Sequence, residues 1–122
     1  MAKQDFNTQI TEGYNFKGDS IELGGAMLGG DVVSGLKVRI PLKTMNRHGL
    51  IAGATGSGKT KTLQVLAEQL SAKGTPVLLM DIKGDLSGIA AAGTPNKSID
   101  ERHKKIDIPY QIAANTEVFN FI

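Results

Sequence analysis

The residues from Gly53 to Thr60 carry the most specific chemical signal in this chain of 122 residues. They match the spacing G-x-x-x-x-G-K-[ST] without a mismatch, which predicts a phosphate-binding P-loop. Glycine reaches positive φ without steric cost, so successive backbone N–H groups can point at one anion. Lys59 would place an ammonium on the β- and γ-phosphates of ATP, and Thr60 would place a hydroxyl on Mg²⁺.

The competing interpretation of this run is a glycine-rich turn in front of an ordinary helix, with no ligand. We favour the phosphate site because a strand, the loop and a helix are predicted in the order that the motif requires. Lys59 is the predicted catalytic residue. The residues predicted to bind the nucleotide are Gly53, Ala54, Thr55, Gly56, Ser57, Gly58, Lys59, Thr60 and Lys61.

Three elements around the loop must position it. Residues 48–52 are predicted to form a short buried strand before the loop, and residues 61–73 an amphipathic helix after it, since leucines recur there at helical spacing. Gly74 is a natural residue for the end of that helix. Residues 77–82 form an apolar run after the helix, which predicts a second buried strand and hence a parallel sheet.

A small β-ribbon is predicted in front of this core. Residues 20–23 and 35–42 both alternate between apolar and polar types, as half-buried strands do. Residues 1–18 are polar and are predicted to form an extended arm or a fraying terminus. We therefore assign residues 1–45 to the arm and ribbon, and residues 46–122 to the N-terminal part of a P-loop domain.

The C-terminal third has weaker signals. A short helix is predicted over residues 98–106, with Ser98 in the spacing of a capping box. Its basic run, Arg102–Lys105, is interpreted as a solvated face, with nucleic-acid binding as the alternative. The segment 115–122 is predicted to be strand-like.

Composition limits the class of protein. The net charge is only +2, which argues neither for nor against nucleic acid, and the absence of cysteine excludes disulfides and thiolate metal sites. The longest aliphatic run, Val77–Met80, is far too short to span a bilayer, and the first residues do not form an apolar signal core. A cytoplasmic protein without membrane contact is therefore expected.

Asp81 is the second candidate for metal chemistry. It follows a hydrophobic run, as the Mg²⁺-binding Asp of a Walker B strand does. No Glu follows it to orient an attacking water, because the next residue is Ile82. The pattern alone is weak, so Thr60 and Asp81 are both retained as candidate metal residues.

Three segments together resemble the FtsK–HerA superfamily of P-loop ATPases, and in particular its bacterial HerA-like, YjgR-like branch. They are residues 46–53, the P-loop itself, and residues 79–88 with the sequence LMDIKGDLSG. The resemblance covers roughly residues 36–106, and its motifs occur in the right order. It implies a RecA-like α/β core with ATPase activity, commonly in hexameric rings that act on DNA.

The resemblance changes the role expected of Asp81. In this superfamily an Asp-x-Lys-Gly-acid segment ends the strand after the P-loop helix, and the Walker B Asp-Glu pair lies on a later strand. Asp81, Lys83 and Asp85 would then line the catalytic edge, with Lys83 near the nucleotide or a neighbouring subunit. The alternative is that Lys83 and Asp85 only shape a loop. His48 precedes the predicted strand and is expected to be structural.

The chain also departs from the superfamily. No residues match the Asp-Glu pair, the polar sensor or an arginine finger, so the chain resembles an N-terminal fragment of a larger ATPase, and hydrolysis by these residues alone is not predicted. A non-hydrolysing nucleotide-binding or protein-interaction module remains an alternative. A small nucleotide kinase is disfavoured, because such an enzyme needs an Arg-rich lid and the only arginines are Arg39, Arg47 and Arg102.

Overall fold

A computed structural model describes residues 3–109 of the chain, and the predicted strand-like segment 115–122 lies outside them. The described residues fall into two compact units. The first comprises residues 3–49 and 96–109, and the second comprises residues 50–95. Among the described residues, no helix has the length and apolar character needed to cross a membrane.

The predicted β-ribbon is present in the first unit. Strand β1 (Ser20–Leu28) pairs antiparallel with strand β2 (Asp31–Pro41), with Ile21 opposite Ile40. Both strands are longer than the alternating runs that predicted them. Gly29 and Gly30 connect the strands at φ 61° and 91°, the left-handed conformation that a two-residue hairpin turn requires.

Two helices pack against this ribbon, α1 (Lys3–Gly13) and α3 (Lys97–Ile106). The small core of the unit includes Ile21, which is 1% exposed, and Ala26. A Cβ atom at Gly25 would lie 3.0 Å from the Cγ2 atom of Ile106. The lack of a side chain at Gly25 therefore lets helix α3 approach strand β1 closely.

Helix α1 replaces the extended arm predicted for the N-terminus, and that prediction was wrong. Phe6 and Ile10 are half-buried and lie four residues apart, so they share one face of the helix. The helix contacts both strands of the ribbon. Tertiary contact with the ribbon thus stabilises a helix that the mainly polar sequence does not signal.

Helix α3 forms where a helix was predicted, but its cap differs from the prediction. The side chain of Asn96 accepts hydrogen bonds from the backbone N–H groups of Ser98 at 3.0 Å and Ile99 at 3.2 Å. Ser98 lies inside the first turn, so its predicted role in a capping box was wrong. The helix ends at Asp107, which has φ 54°.

The predicted P-loop helix is confirmed in the second unit as α2 (Lys59–Ala72). Its end is a Schellman motif. The N–H of Thr75 donates to the carbonyl of Leu70 at 3.0 Å, and the N–H of Gly74 donates to the carbonyl of Ser71 at 2.9 Å. Gly74 has φ 78°, which explains why glycine ends this helix.

The two buried parallel strands predicted around α2 are not formed within residues 3–109. Residues 48–52 and 77–82 have no strand pairing there, and the sheet of the described region is the antiparallel ribbon. Their apolar side chains are exposed: Leu50 by 90%, Met80 by 87% and Ile82 by 102%. An apolar run becomes a strand only when a neighbouring strand satisfies its backbone N–H and C=O groups, and the described chain provides no such neighbour here.

Candidate phosphate-binding site

The loop in front of helix α2 has a backbone that glycine permits. Gly56 has φ 80° and Gly58 has φ 92°, and Gly58 is the N-cap residue of the helix. Any other residue at these two positions would be strained. The two glycines of the motif therefore produce the turn that leads from the exposed loop into the helix.

A close approach inside the loop explains the first glycine of the motif. A Cβ atom on Gly53 would lie 2.6 Å from the hydroxyl oxygen of Ser57, well inside van der Waals contact. That hydroxyl donates to the carbonyl oxygen of Ala54 at 2.7 Å. A side chain at position 53 would therefore displace the Ser57 hydroxyl from this hydrogen bond, which favours glycine there.

The side chain of Lys59 folds back onto the same loop. Its ammonium donates to the carbonyl oxygen of Ala54 at 2.7 Å. The N–H of Ser57 points to the same carbonyl at 3.3 Å. The carbonyl of Ala54 therefore orients both the lysine and the serine, and it holds the positive charge against the loop.

The first turn of helix α2 adds backbone donors beside this charge. The hydrogen bond that closes the turn runs from the N–H of Thr62 to the carbonyl of Gly58 at 2.9 Å. Lys59, Thr60 and Lys61 belong to this turn, and amides at a helix start have no preceding helical carbonyl to donate to. With the positive end of the helix dipole, they favour an anion.

The predicted nucleotide-binding residues from Gly53 to Lys61 therefore lie together in one loop and one helical turn, and their chemistry fits a phosphate group. The Thr60 side chain is half-buried in this turn and carries the hydroxyl predicted to bind Mg²⁺. The ammonium of Lys61 donates to the side-chain oxygen of Gln64 at 2.9 Å. The Lys61 side chain is thus engaged with Gln64, and the group that Lys61 would contribute to the predicted site is its backbone N–H.

Asp81 has a backbone-ordering role that the sequence did not reveal. One carboxylate oxygen accepts the N–H groups of Lys83 at 3.1 Å and Gly84 at 2.8 Å, and the other accepts the N–H of Leu86 at 2.8 Å. These donors, that of Leu86 first, hold the pKa of Asp81 below its ordinary value of 3.8. The carboxylate therefore organises the loop 81–86, and its predicted contact with Mg²⁺ stays a prediction.

The loop ordered by Asp81 presents two charged side chains to solvent. Lys83 and Asp85 are both exposed, and Gly84 between them has φ 78°. This agrees with the interpretation that the segment shapes a loop. The alternative role of Lys83, a contact with nucleotide or a neighbouring subunit, stays a prediction.

Gln64 is a buried polar residue that sequence reasoning missed. It is 6% exposed and lies on helix α2. Its position three residues before Ala67, which is 5% exposed, places it on the buried face of the helix. A polar residue at an apolar position of the helical repeat was the signal that could have identified it.

The two histidines and the basic run belong to the first compact unit. His48 is exposed and no strand follows it among residues 49–109, so its expected role before a strand is not observed there. A ring nitrogen of His103 lies 2.8 Å from the carbonyl oxygen of Ile108, just past the end of helix α3. The other side chains of the basic run are exposed, as predicted for a solvated face.

A cavity of about 230 Å³ lies beside helix α1 and strand β2 in the first unit. Tyr14, Lys37 and Arg39 contribute to its lining. The carboxylate of Glu22 lies 3.4 Å from the ammonium of Lys37 and 3.5 Å from the guanidinium of Arg39. Glu22 therefore partly balances the charge of both cations.

The sequence matches a known protein family and several known proteins. Residues 28–122 match the family described as Helicase HerA-like C-terminal. The chain is 36% identical over 62 residues to the DNA double-strand break repair helicase HerA of Sulfolobus acidocaldarius, a match that covers 51% of the chain and 12% of the relative. It is 41% identical over 61 residues to the protein of the same name from Sulfurisphaera tokodaii, covering 50% of the chain and 12% of the relative.

A relative with another name matches a similar length of the chain. It is the ESX-4 secretion system protein EccC4 of Mycobacterium tuberculosis, 41% identical over 56 residues, with 43% of the chain and 4% of the relative covered. The chain spans about an eighth or less of the length of these curated relatives. No solved structure matches it.

The resemblance to the FtsK–HerA superfamily is confirmed at this broad level, while the YjgR-like branch stays a prediction. The family match begins in the β-ribbon and includes the glycine loop, helix α2 and the loop of Asp81. It covers far more than half of the sequence. The chain therefore belongs to the family of HerA-like helicase C-terminal domains.

Proposed function

We propose that this chain binds ATP with Mg²⁺ at the loop Gly53–Thr60. The observation that carries the proposal is the contact between the Lys59 ammonium and the Ala54 carbonyl at 2.7 Å, in a loop whose turns need glycine. A cation at a helix N-terminus, beside the first backbone N–H groups of the helix, is suited to bind a polyphosphate. In this site the loop amides bind and orient the phosphates.

Within the proposed site, each functional group has one task. The ammonium of Lys59 would neutralise the charge of the β- and γ-phosphates, and the hydroxyl of Thr60 would be a ligand of Mg²⁺. Mg²⁺ supplies further neutralisation of phosphate charge when it is bound. Lys59 thereby is the residue whose charge both binding and any transfer chemistry depend on.

We further propose that the whole protein couples ATP hydrolysis to mechanical work on DNA. Two relatives are named as DNA double-strand break repair helicases, which supports DNA as the substrate. Hydrolysis also needs a water-orienting acid and a cation on the transition state. We assign those groups to the longer protein or to a neighbouring subunit of a homo-oligomeric, hexameric ring.

The RecA-like parallel sheet belongs to the same proposal. Leu78, Met80 and Ile82 are 81%, 87% and 102% exposed, although such side chains are normally covered. Neighbouring strands and helices of a larger α/β core would cover them. In that context, residues 48–52 and 77–82 would become the strands that flank helix α2.

A second candidate function is a nucleotide-binding module that does not hydrolyse ATP. It is favoured by the Asp81 carboxylate, which accepts three backbone N–H groups and is thus occupied with loop structure. Such a module would respond to nucleotide through protein contacts alone. Phosphate release by the whole protein separates the two candidates.

Calorimetric titration with ATP, ADP and AMP in the presence of Mg²⁺ tests nucleotide binding. ATP and ADP are expected to bind and AMP to bind much more weakly, since the glycine loop holds the β-phosphate. Equal affinity for AMP, or no binding of any of the three, would contradict the proposal.

The DNA component needs a separate measurement. Fluorescence anisotropy of labelled duplex DNA, recorded over a range of salt concentrations, is expected to show binding that weakens as salt rises. Replacement of Lys104 and Lys105, which are exposed on helix α3, should reduce this salt dependence if the basic run contacts phosphate. Absence of any DNA binding by the chain and by the whole protein would overturn the DNA component alone.

A further inference from the structure

A series of hydrogen bonds links the P-loop helix to the loop ordered by Asp81. The ammonium of Lys61 donates to the side-chain oxygen of Gln64 at 2.9 Å. The side-chain nitrogen of Gln64 donates to the carbonyl of Leu86, at a long 3.5 Å. The N–H of Leu86 in turn donates to the carboxylate of Asp81 at 2.8 Å.

The two central residues of this series of hydrogen bonds are buried. Gln64 is 6% exposed, so its amide cannot easily exchange its partners for water. The carbonyl of Leu86, which is 8% exposed, also accepts the N–H of Ile89 at 3.0 Å, so Gln64 is its second donor. Lys61 also fixes the orientation of the Gln64 amide. A cation attracts the amide oxygen, and the nitrogen is therefore directed toward the carbonyl of Leu86.

At one end of this series of hydrogen bonds lies the proposed nucleotide site, and at the other end lies the exposed loop. Lys61 directly follows Thr60 in the first turn of helix α2. At the other end, Asp81 also binds the N–H of Lys83 and so orders the segment that presents the Lys83 side chain. Gln64 is the residue in the middle, bonded to both sides.

We infer that Gln64 is a positioning residue that ties the loop Asp81–Leu86 to the P-loop helix, so that nucleotide binding at the first turn of the helix tightens the loop that carries Lys83. The tie itself follows from the contacts of Gln64. The response to nucleotide rests on the proposed function. Phosphate binding would order the turn that contains Lys61, and Lys61 holds Gln64 in the orientation that Leu86 needs.

Hydrogen exchange without nucleotide tests the tie. Gln64→Met keeps a similar side-chain volume and removes both hydrogen bonds. Exchange at the N–H of Leu86 is expected to become faster by up to about fivefold, the effect of losing one full net hydrogen bond, since the contact between Gln64 and Leu86 is long. Glu68→Met is the control, because it introduces methionine at an exposed position of the same helix. Unchanged exchange at Leu86 in Gln64→Met, or an equal increase in the control, would overturn the tie.

A double mutant separates positioning from mere packing. Lys61→Met alone should accelerate exchange at Leu86, since the Gln64 amide loses its fixed orientation. In the Gln64→Met background the same change should add nothing, because the link is already broken. Additive effects of the two substitutions would show that Lys61 and Gln64 act independently, contrary to the proposal.

Hydrogen exchange with saturating ADP and Mg²⁺ tests the response to nucleotide. ADP is expected to slow exchange at Lys83, Gly84 and Leu86 in the wild-type chain, and to have no such effect in Gln64→Met while binding persists. If ADP slows exchange equally in both, or speeds it in the wild type, the coupling is wrong. If the wild type does not bind ADP, the proposed function fails and the coupling with it, while the nucleotide-free measurements still decide the tie.

Discussion

The ammonium nitrogen of Lys59 lies 2.7 Å from the carbonyl oxygen of Ala54, which also accepts the hydroxyl of Ser57 at 2.7 Å. One carbonyl thus collects the lysine and the serine of the motif. The positive charge is already held beside the loop, so little side-chain entropy remains to be lost when an anion arrives. The spacing of the motif would thereby prepare the proposed phosphate site.

Removal of the Lys59 charge should weaken nucleotide binding. In Lys59→Ala, the affinity for ATP is expected to fall about tenfold or more, since hydrogen bonds to charged groups contribute roughly 1.5–3 kcal/mol. Calorimetry measures the change. Lys17→Ala is the control, because Lys17 is exposed and its loss changes the net charge equally. Equal affinity for ATP in wild type and Lys59→Ala would refute the assignment of Lys59.

The close contact at Gly53 predicts a compensating pair of substitutions. In Gly53→Ala, the new Cβ atom would lie 2.6 Å from the Ser57 hydroxyl, which must rotate away and lose its hydrogen bond to the Ala54 carbonyl. ATP affinity should therefore fall by about fivefold, the effect of one net hydrogen bond in the loop. In a Ser57→Ala background the hydroxyl is absent, so Gly53→Ala should cost much less. Calorimetry on the four variants gives the coupling, and equal losses in both backgrounds would disprove the clash.

The two candidate metal residues differ in the effect expected of their loss. Thr60→Val keeps the shape of the side chain and removes the hydroxyl, so Mg²⁺ should no longer improve ATP binding as it does in the wild type. Asp81→Asn should affect this Mg²⁺ dependence less. ATP titrations with and without Mg²⁺ measure it. If Asp81→Asn is the more damaging change, Asp81 is the metal residue and the role expected from the family pattern is wrong.

The lowered pKa of Asp81 predicts a contribution to stability that depends on pH. Because the pKa of this carboxyl is lower in the folded chain than in the unfolded one, its contribution is fully present above the ordinary pKa of 3.8. It is lost as the pH falls through the folded value. Thermal unfolding of wild type and Asp81→Asn should thus differ at neutral pH and converge in acid. A difference that is the same at every pH would exclude ionisation of Asp81 as its cause.

Turnover by this chain alone is expected to be low. In related enzymes an arginine finger accounts for about 10³–10⁵ in rate, and no arginine of this chain is placed by the family pattern. Steady-state phosphate release from ATP is the measurement. Turnover near about 1 s⁻¹ that Lys59→Ala abolishes would show that the 122 residues contain a complete catalytic centre.

Local sequence determined those features whose physical causes lie within a few residues along the chain. The spacing of Gly53, Gly58 and Lys59 specified a glycine-rich turn at the start of helix α2. Leucines at helical spacing together with Gly74 specified helix α2 and its Schellman end. Alternating residues on both sides of a glycine pair specified the ribbon. Backbone preferences and side-chain periodicity act over such short distances, so they can be read from the order of residues.

Only the tertiary structure decided the features that depend on distant partners. Helix α1 forms because it packs on the ribbon, and residues 77–82 stay unpaired because no neighbouring strand lies beside them in the described chain. Asp81 binds backbone N–H groups up to five residues away, and Gln64 reaches a carbonyl 22 residues along the chain. Strand pairing and burial of polar groups are contacts between separate segments, and a single sequence does not state which segments meet.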